Sequence, residues 1–426
     1  MRTTAVALAA LLAPGLGCSL DLDRLRADAG TSLDAPGLDA PGRDAPGLDA
    51  PEPDAPGLDA DRDAGSVSDA SGPDASGPDA SYGFPDGPLE ILARSSVRTD
   101  ADARLAVGRD DRGAFFTLVS PTSFDRELVT RTSCAATLSP TMAEGPRGRA
   151  VALADLDTDG TLDEIAIDDT QVSIAFGLAP DLEFEVPLTV PHFVTTPRLV
   201  AVGTLGAAEL PEIVVANRMN VVRTVTQAPA RSFSGMRVAP VGPGSVVIDL
   251  LIMDADDGNA GDELVLLVAT STGASRALEL VFDDGVELRS GPTRNALPTI
   301  ASGLARAGAR EVVVFGRDVL EGVTFPSGGW GPYGIAGAQL IDVAVADVDG
   351  DAIPDVMALD MSTSSLRVFH GEPEELLMID ELSLETTSLG AAEIQPLDVD
   401  DDGVVELVVH AGTETLLIGR RPTGCP

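Results

Sequence analysis

The sequence predicts an all-β protein, a seven-bladed β-propeller of four-stranded blades preceded by a signal peptide and a disordered tether. Three observations predict it. Short apolar, β-branched runs recur through residues 84–426, with a period of about 48 residues, which suits a four-stranded blade. An acidic, glycine-bearing loop stands ahead of several of these runs. The first 83 residues lack this texture and repeat a short Asp/Ala/Pro/Gly theme instead.

The leader comes first. Residues 1–17 read as a signal peptide: Arg2 supplies a positive start, Ala5 to Ala13 an apolar stretch, and small residues run to Gly17. Cys18 then stands where a bacterial lipoprotein carries its lipidated cysteine. Leu16-Gly17-Cys18 resembles a lipobox, although Gly15 rather than Leu lies three residues before the Cys. Residues 18–83 are expected to be a lipid-attachment Cys followed by a disordered linker. Units such as Asp34-Ala35-Pro36-Gly37-Leu38 and Ser71-Gly72-Pro73-Asp74-Ala75 carry too few apolar groups to offset the entropy of ordering. Proline blocks helix and sheet, and mutual repulsion of the Asp charges extends the segment. The expected location is an outer membrane or cell surface reached through a lipid anchor, with a periplasmic or secreted protein as the alternative.

Composition narrows the partners. Of 426 residues, 68 are acidic and 28 basic, a formal charge of −40, and every basic residue is Arg. Such a chain repels nucleic acid and anionic headgroups, so neither is an expected partner. Divalent cations are the natural counter-charge. No apolar run after the leader reaches the roughly 20 residues that span a bilayer.

From Phe84 onward one unit recurs: an Asp-rich loop, a buried-type strand, a tight turn and a second strand. The fullest copies begin at Asp155 (Asp155, Asp157, Asp159, Gly160, Asp163), Asp347 (Asp347, Asp349, Asp351, Asp355) and Asp398 (Asp398, Asp400, Asp402, Gly403, Glu406). A fourth keeps Asp254, Asp256 and Asp262, with Gly258 where the third Asp should be. Two copies, with Gly203 to Pro211 and Ser302 to Arg310 in place of the loop, keep the strands and lose the carboxylates. A seventh, fainter copy starts at Leu105. Taking Leu105, Ile165, Ile213, Leu264, Val312, Val356 and Leu407 as equivalent strand residues, the successive gaps are 60, 48, 51, 48, 44 and 51. The long first gap predicts an insertion near Ser120 to Arg147. The run Leu89 to Ala93 precedes the first full repeat and is expected to complete the last blade, so that no sheet edge is left open.

The Asp loop, the strand and a closing Phe-Gly (Phe176-Gly177, Phe315-Gly316, with Phe369-His370-Gly371 a near miss) resemble the FG-GAP/VCBS repeats of integrin α-subunits and bacterial surface proteins. The resemblance covers about 340 residues. It implies that the Asp loop joins the first and second strands of a blade and binds calcium.

The residues themselves support that reading. Carboxylates at positions 1, 3, 5 and 9 of a nine-residue loop, with a Gly at 6 for the reversal, make an oxygen cage for a hard cation. The seventh residues, Thr161, Ile353 and Val404, are expected to offer backbone carbonyls. An EF-hand would need a bidentate Glu at position 12; Ala166, Ala358 and Val409 stand there. The calcium would be structural.

No catalytic constellation stands out. The sequence contains three His (His192, His370, His410), no Gly-x-Ser-x-Gly elbow, no Cys/His zinc spacing and no Lys for a phosphate-cradling loop. Trp330 and Tyr333 share a glycine-rich loop that could either face a sugar or fold back on its own blade. Cys134 lies in the first repeat and Cys425 at the end of the last, which a closed ring would bring together as one disulfide. The favoured function is a non-catalytic surface binding or scaffold module, holding a protein or glycan ligand on one propeller face. The alternatives are a glycan-directed extracellular hydrolase and a carbohydrate-binding lectin.

Overall fold

The computed structural model describes residues 87–421 apart from 97–99, 101, 133, 142–143, 179–182, 207, 209, 229–230, 243, 256–260, 271–275, 284–286, 299, 373–374 and 387–388. The expected leader and tether, with Cys18, Asp256 and Cys425, lie outside the described residues.

Among the described residues there are seven four-stranded antiparallel sheets and no helix. Blade 1 is Arg104–Asp110, Gly113–Val119, Phe124–Thr132 and Ala135–Pro140. Blade 2 is Ala150–Ala154, Asp163–Ile167, Gln171–Ala175 and Leu188–Pro191, with a short hairpin of Gly177–Leu178 and Glu183–Phe184 before its last strand. Blade 3 is Pro197–Gly203, Glu212–Asn217, Val222–Ala228 and Ser232–Val238. Blade 4 is Val246–Met253, Glu263–Ala269, Arg276–Asp283 and Leu288–Leu297. Blade 5 is Ala301–Arg306, Glu311–Gly316, Val319–Thr324 and Gly329–Gly334. Blade 6 is Leu340–Ala346, Asp355–Asp360, Ser365–Glu372 and Glu375–Ser383. Blade 7 is Glu393–Leu397, Glu406–Ala411 and Glu414–Arg420, and its outer strand is the N-terminal Leu89–Ser96. That strand pairs with Glu414–Arg420 from Leu89↔Arg420 to Ser96↔Glu414, so the chain start closes the ring as expected.

The first strand of each blade packs against the first strand of the next, and that of blade 7 returns to that of blade 1. The fold is a seven-bladed propeller with these strands around its axis. Its core is spread over seven layers between blades. The second strand of a blade has a neighbouring blade on each face, so both sets of alternating residues are apolar. In blade 3, Ile213 and Val215 face blade 2, while Val214 and Ala216 face blade 4. In blade 4, Leu264, Leu266 and Val268 face blade 3, and Val265 and Leu267 face blade 5. Outer strands lack this cover, and Ala135–Pro140 is mostly exposed.

Four details of the repeat register differ from expectation. Leu105 lies on the first, axial strand of blade 1, whereas the other repeat markers lie on second strands. The residues expected to be an insertion, Ser120 to Arg147, include instead the third and fourth strands of blade 1. Ile165 is also one residue late. The residue facing the preceding blade, as Ile213 and Leu264 do, is Glu164, whose side chain meets blade 1. An apolar marker could not find a position that holds a buried acid. Phe315-Gly316 ends a second strand, whereas Phe176-Gly177 follows a third, so the two are not equivalent.

Candidate metal centre

The three fullest acidic loops each connect the first strand of a blade to the second, in blades 2, 6 and 7. They share one internal wiring. The first carboxylate accepts the backbone N–H of the sixth residue: Asp155 from Gly160 at 2.9 Å, Asp347 from Ala352 at 2.8 Å, Asp398 from Gly403 at 3.3 Å. The fifth accepts from the seventh: Asp159 from Thr161, Asp351 from Ile353 and Asp402 from Val404, all at 2.8 Å. The ninth accepts from the second: Asp163 from Leu156 at 2.8 Å, Asp355 from Val348 at 3.2 Å, Glu406 from Val399 at 3.0 Å.

Such tight reversal needs left-handed backbone at positions 4 and 6. Glycine serves at Gly160, Gly350 and Gly403, and non-glycine residues at Thr158, Ala352 and Asp401 take positive φ of 61°, 67° and 65°. The expected glycine at position 6 is therefore Ala352 in the loop at 347.

This wiring brings carboxylate oxygens of Asp155, Asp157 and Asp163 within 4.8 Å of one another, and likewise those of Asp347, Asp349 and Asp355, and of Asp398, Asp400 and Asp402. The donor set is all oxygen and anionic, which suits calcium. Burial, with Asp157 and Asp159 nearby, pushes the Asp163 carboxyl up to about 7. Burial, followed by the charge of Asp349, pushes Asp355 up to about 6. A bound cation would relieve both.

Protein cations already lean on these loops. Arg231 of blade 3 pairs with Asp157 and reaches Asp159 at 3.5 Å. Arg131 of blade 1 pairs with Glu406, and Arg109 lies 3.7 Å from Asp401. Glu406 is thus held by an arginine and by Val399, outside the oxygen group of its loop.

The loop at Asp254 differs. Asp254 bonds Arg310 at 3.2 Å. Its ninth-position role falls to Glu263, buried and accepting the Ala255 N–H at 2.7 Å, and not to Asp262. Asp262 instead uses its backbone to bridge to Leu205. Asp256 lies outside the described residues.

Counting by this register reveals an unexpected regularity. The first residue of the second strand is Asp163, Glu212, Glu263, Glu311, Asp355 and Glu406 in blades 2 to 7, and Gly113 in blade 1. The two blades expected to lack carboxylates each keep this one. Arg237 pairs with Glu212, and Trp330 Nε1 donates to Glu311 at 2.9 Å. Trp330 also packs beside Gly322, so it folds back on its own blade.

His370 is a neighbour that sequence reasoning left aside. It is buried, with Nδ1 3.3 Å from Asp355 and Nε2 3.6 Å from Asp351. The Phe369-His370-Gly371 string was its only signal. In blade 2 the strand register puts Phe176 at the equivalent position, and the next residue, Gly177, donates its N–H to Asp163 at 2.9 Å. A Cβ there would lie 2.5 Å from the Leu162 carbonyl oxygen, which explains the glycine. His192 and His410 lie at the opposite ends of their blades. His192 accepts the Val194 N–H on Nδ1, and burial pushes His410 down to about 4.

No family model matches this sequence, and no curated protein matches it. Similar solved structures include BBS1N in complex with ARL6DN, soaked with lead, and the same complex soaked with mercury. Each has a TM-score of 0.51 and 11% identity, covering 80% of this chain and 97% of that chain. Likeness at that identity establishes the fold, a seven-bladed propeller.

Proposed function

We propose that this chain is a non-catalytic binding or scaffold module of the FG-GAP/VCBS kind, stiffened by calcium in its blade loops. The observation that carries the reading is the set of three backbone bonds shared by the loops at Asp155, Asp347 and Asp398. Three loops of differing sequence aim carboxylates inward by the same backbone bonds. Asp155, Asp157 and Asp163, with Asp347, Asp349 and Asp355, and Asp398, Asp400 and Asp402, would hold one ion each, supplying rigidity and no reaction step. A structural neighbour is itself a propeller crystallised in complex with another protein, which favours a protein over a glycan as the ligand. The lipid anchor at Cys18 would hold the module at a cell surface; a Cys18→Ser variant is then released into the soluble fraction.

The test is to probe the mature chain on glycan and envelope-protein arrays, with calcium and with chelator. Calcium-dependent retention on a protein supports the reading. Cleavage of arrayed glycans would instead establish the hydrolase alternative, and retention on glycans without cleavage the lectin.

A further inference from the structure

The axial channel opens into a cavity of about 480 Å³ lined by all seven first strands. Its lining residues come from the starts of those strands, as at Arg104, Ala150, Arg198, Asp249 and Glu393. The acidic loops follow the strand ends, where Ala154 pairs with Asp163 and Ala346 with Asp355. The cavity therefore belongs to the mouth opposite the candidate metal loops.

Six charged residues line it: Arg104, Arg198, Arg218, Asp249, Asp342 and Glu393. The three acids have visible work. Each reaches across to the next axial strand and accepts a backbone N–H: Asp249 from Leu304 at 2.9 Å, Asp342 from Ile394 at 2.9 Å, Glu393 from Leu105 at 2.7 Å. They fasten blade 4 to 5, 6 to 7 and 7 to 1. Arg104 is paired with Glu393. Arg198 and Arg218, both of blade 3, have neither a hydrogen bond nor an ion pair among the described residues.

Burial, with the charge of Glu393, pushes the Asp342 carboxyl up to about 8, which favours its neutral form. Arg104 offsets Glu393, which leaves two guanidinium groups against Asp249. Burial, and then repulsion from Arg104, lowers the pKa of Arg218. Asp249 and Glu393 act in the opposite sense and Arg198 adds to the repulsion, while both Arg198 and Arg218 remain exposed at the mouth. In a chain of net charge −40, three arginines lining one hollow are a local concentration of basic groups.

We propose that Arg198 and Arg218 form a binding site for a small oxyanion, a ligand presenting a carboxylate or phosphate group to the mouth of the axial channel. A planar guanidinium presents parallel N–H donors that match either group in bidentate fashion. The site owes nothing to calcium and does not depend on the reading of the acidic loops.

Calorimetric titration of the mature chain in calcium-free buffer at fixed ionic strength tests this, with inorganic phosphate and succinate as the probes. At least one probe is expected to give saturable binding. Arg198→Gln and Arg218→Gln should each weaken it about tenfold or more, since a charge-assisted bond is lost. Arg289→Gln, at an exposed position remote in the chain, should leave it unchanged. Thermal melts that match the parent establish that the variants fold. Preference for phosphate or succinate identifies the kind of oxyanion. Absence of saturable binding with both probes, or equal binding by all three variants, overturns the proposal.

Discussion

Arg126 and Glu164 form a fully buried ion pair between blades 1 and 2. Nε of Arg126 donates to Oε1 of Glu164 at 2.8 Å, and a second guanidinium nitrogen meets Oε2. Thr117 adds a third donor at 2.6 Å. The Phe184 ring covers the guanidinium, its centroid 3.8 Å away, with Phe124 at 5.0 Å. This polar contact lies where the apolar layer between blades is thinnest: among the described residues its buried cluster is Ala106, Val119, Val151 and Ala166, with Phe124 and Leu153 packed against it. The hairpin Gly177–Leu178 and Glu183–Phe184 supplies the covering ring, which gives that excursion in blade 2 a physical role.

Removing one member of a buried pair leaves a buried charge without its counter-charge, which costs about 3–5 kcal/mol. Glu164→Leu is expected to destabilise the domain by that amount in urea denaturation. The double variant Arg126→Met/Glu164→Leu should recover most of the loss, because two apolar groups need no counter-charge. Additive losses in the double variant would show that the pair is not coupled.

Calcium should raise the melting temperature, and a chelator should lower it. Extracellular calcium modules often bind at about 10⁻⁴–10⁻³ M, so millimolar calcium is the appropriate range. Asp157→Ala and Asp349→Ala should each remove part of the calcium response, because each takes one carboxylate from a three-oxygen group. Glu263→Gln should change that response less and lower basal stability instead, since Glu263 ties the Ala255 N–H. A melting temperature indifferent to both calcium and chelator contradicts the assignment.

Asp342 makes stability depend on pH in the alkaline direction. Its carboxyl is pushed up to about 8, chiefly by burial and then by Glu393. An unfolded Asp titrates near 4, so between those values the folded chain binds more protons than the unfolded one. Stability therefore falls as pH rises through that window, by up to about 1.4 kcal/mol per unit. Between pH 6 and 8, with calcium saturating, the melting temperature of the parent should decline. Asp342→Asn should flatten the decline, and an unchanged slope would remove Asp342 as its source.

Much of this architecture was legible because both physical signals are local. An acidic nine-residue loop is visible as a string, and a strand buried on both faces reads as an unbroken apolar run, as in Val312 to Phe315. The blade count and the closing strand from Leu89 follow from these. What was missed depends on contacts between blades. Glu164 broke the apolar marker because its partner, Arg126, lies 38 residues away on another blade. Blade 1 has Gly113 where other blades carry an acid, so Leu105 stood in for it and created a false insertion. Glu212 and Glu311 belong to no string motif, and only the strand register aligns them with Asp163. The cavity arginines have no motif at all, since a turn and a strand start of blade 3 bring them together.

Cys134 is disulfide-bonded, and its partner decides two questions at once. The chain has two other cysteines, Cys18 and Cys425. Cys134 lies at the turn between the last two strands of blade 1 and shares the lining of a small hollow with Arg420 and Arg421. Arg421 is four residues before Cys425. The proposed bridge is therefore Cys134–Cys425, which would tie the chain end to the first blade beside the closing strand. Linking residues so far apart in sequence restricts the unfolded chain by about 5–6 kcal/mol in the entropy model, although measured gains are often smaller. Non-reducing peptide mapping should recover a fragment joining the Cys134 and Cys425 peptides. Reduction, or Cys425→Ser, should lower the melting temperature. A bridge from Cys134 to Cys18 would refute the clasp and the lipid anchor together, because a sulfur in a disulfide cannot also carry a lipid thioether. With the Cys134–Cys425 bridge in place, Cys18 is left free for acylation, and intact mass of the membrane fraction should show the added lipid.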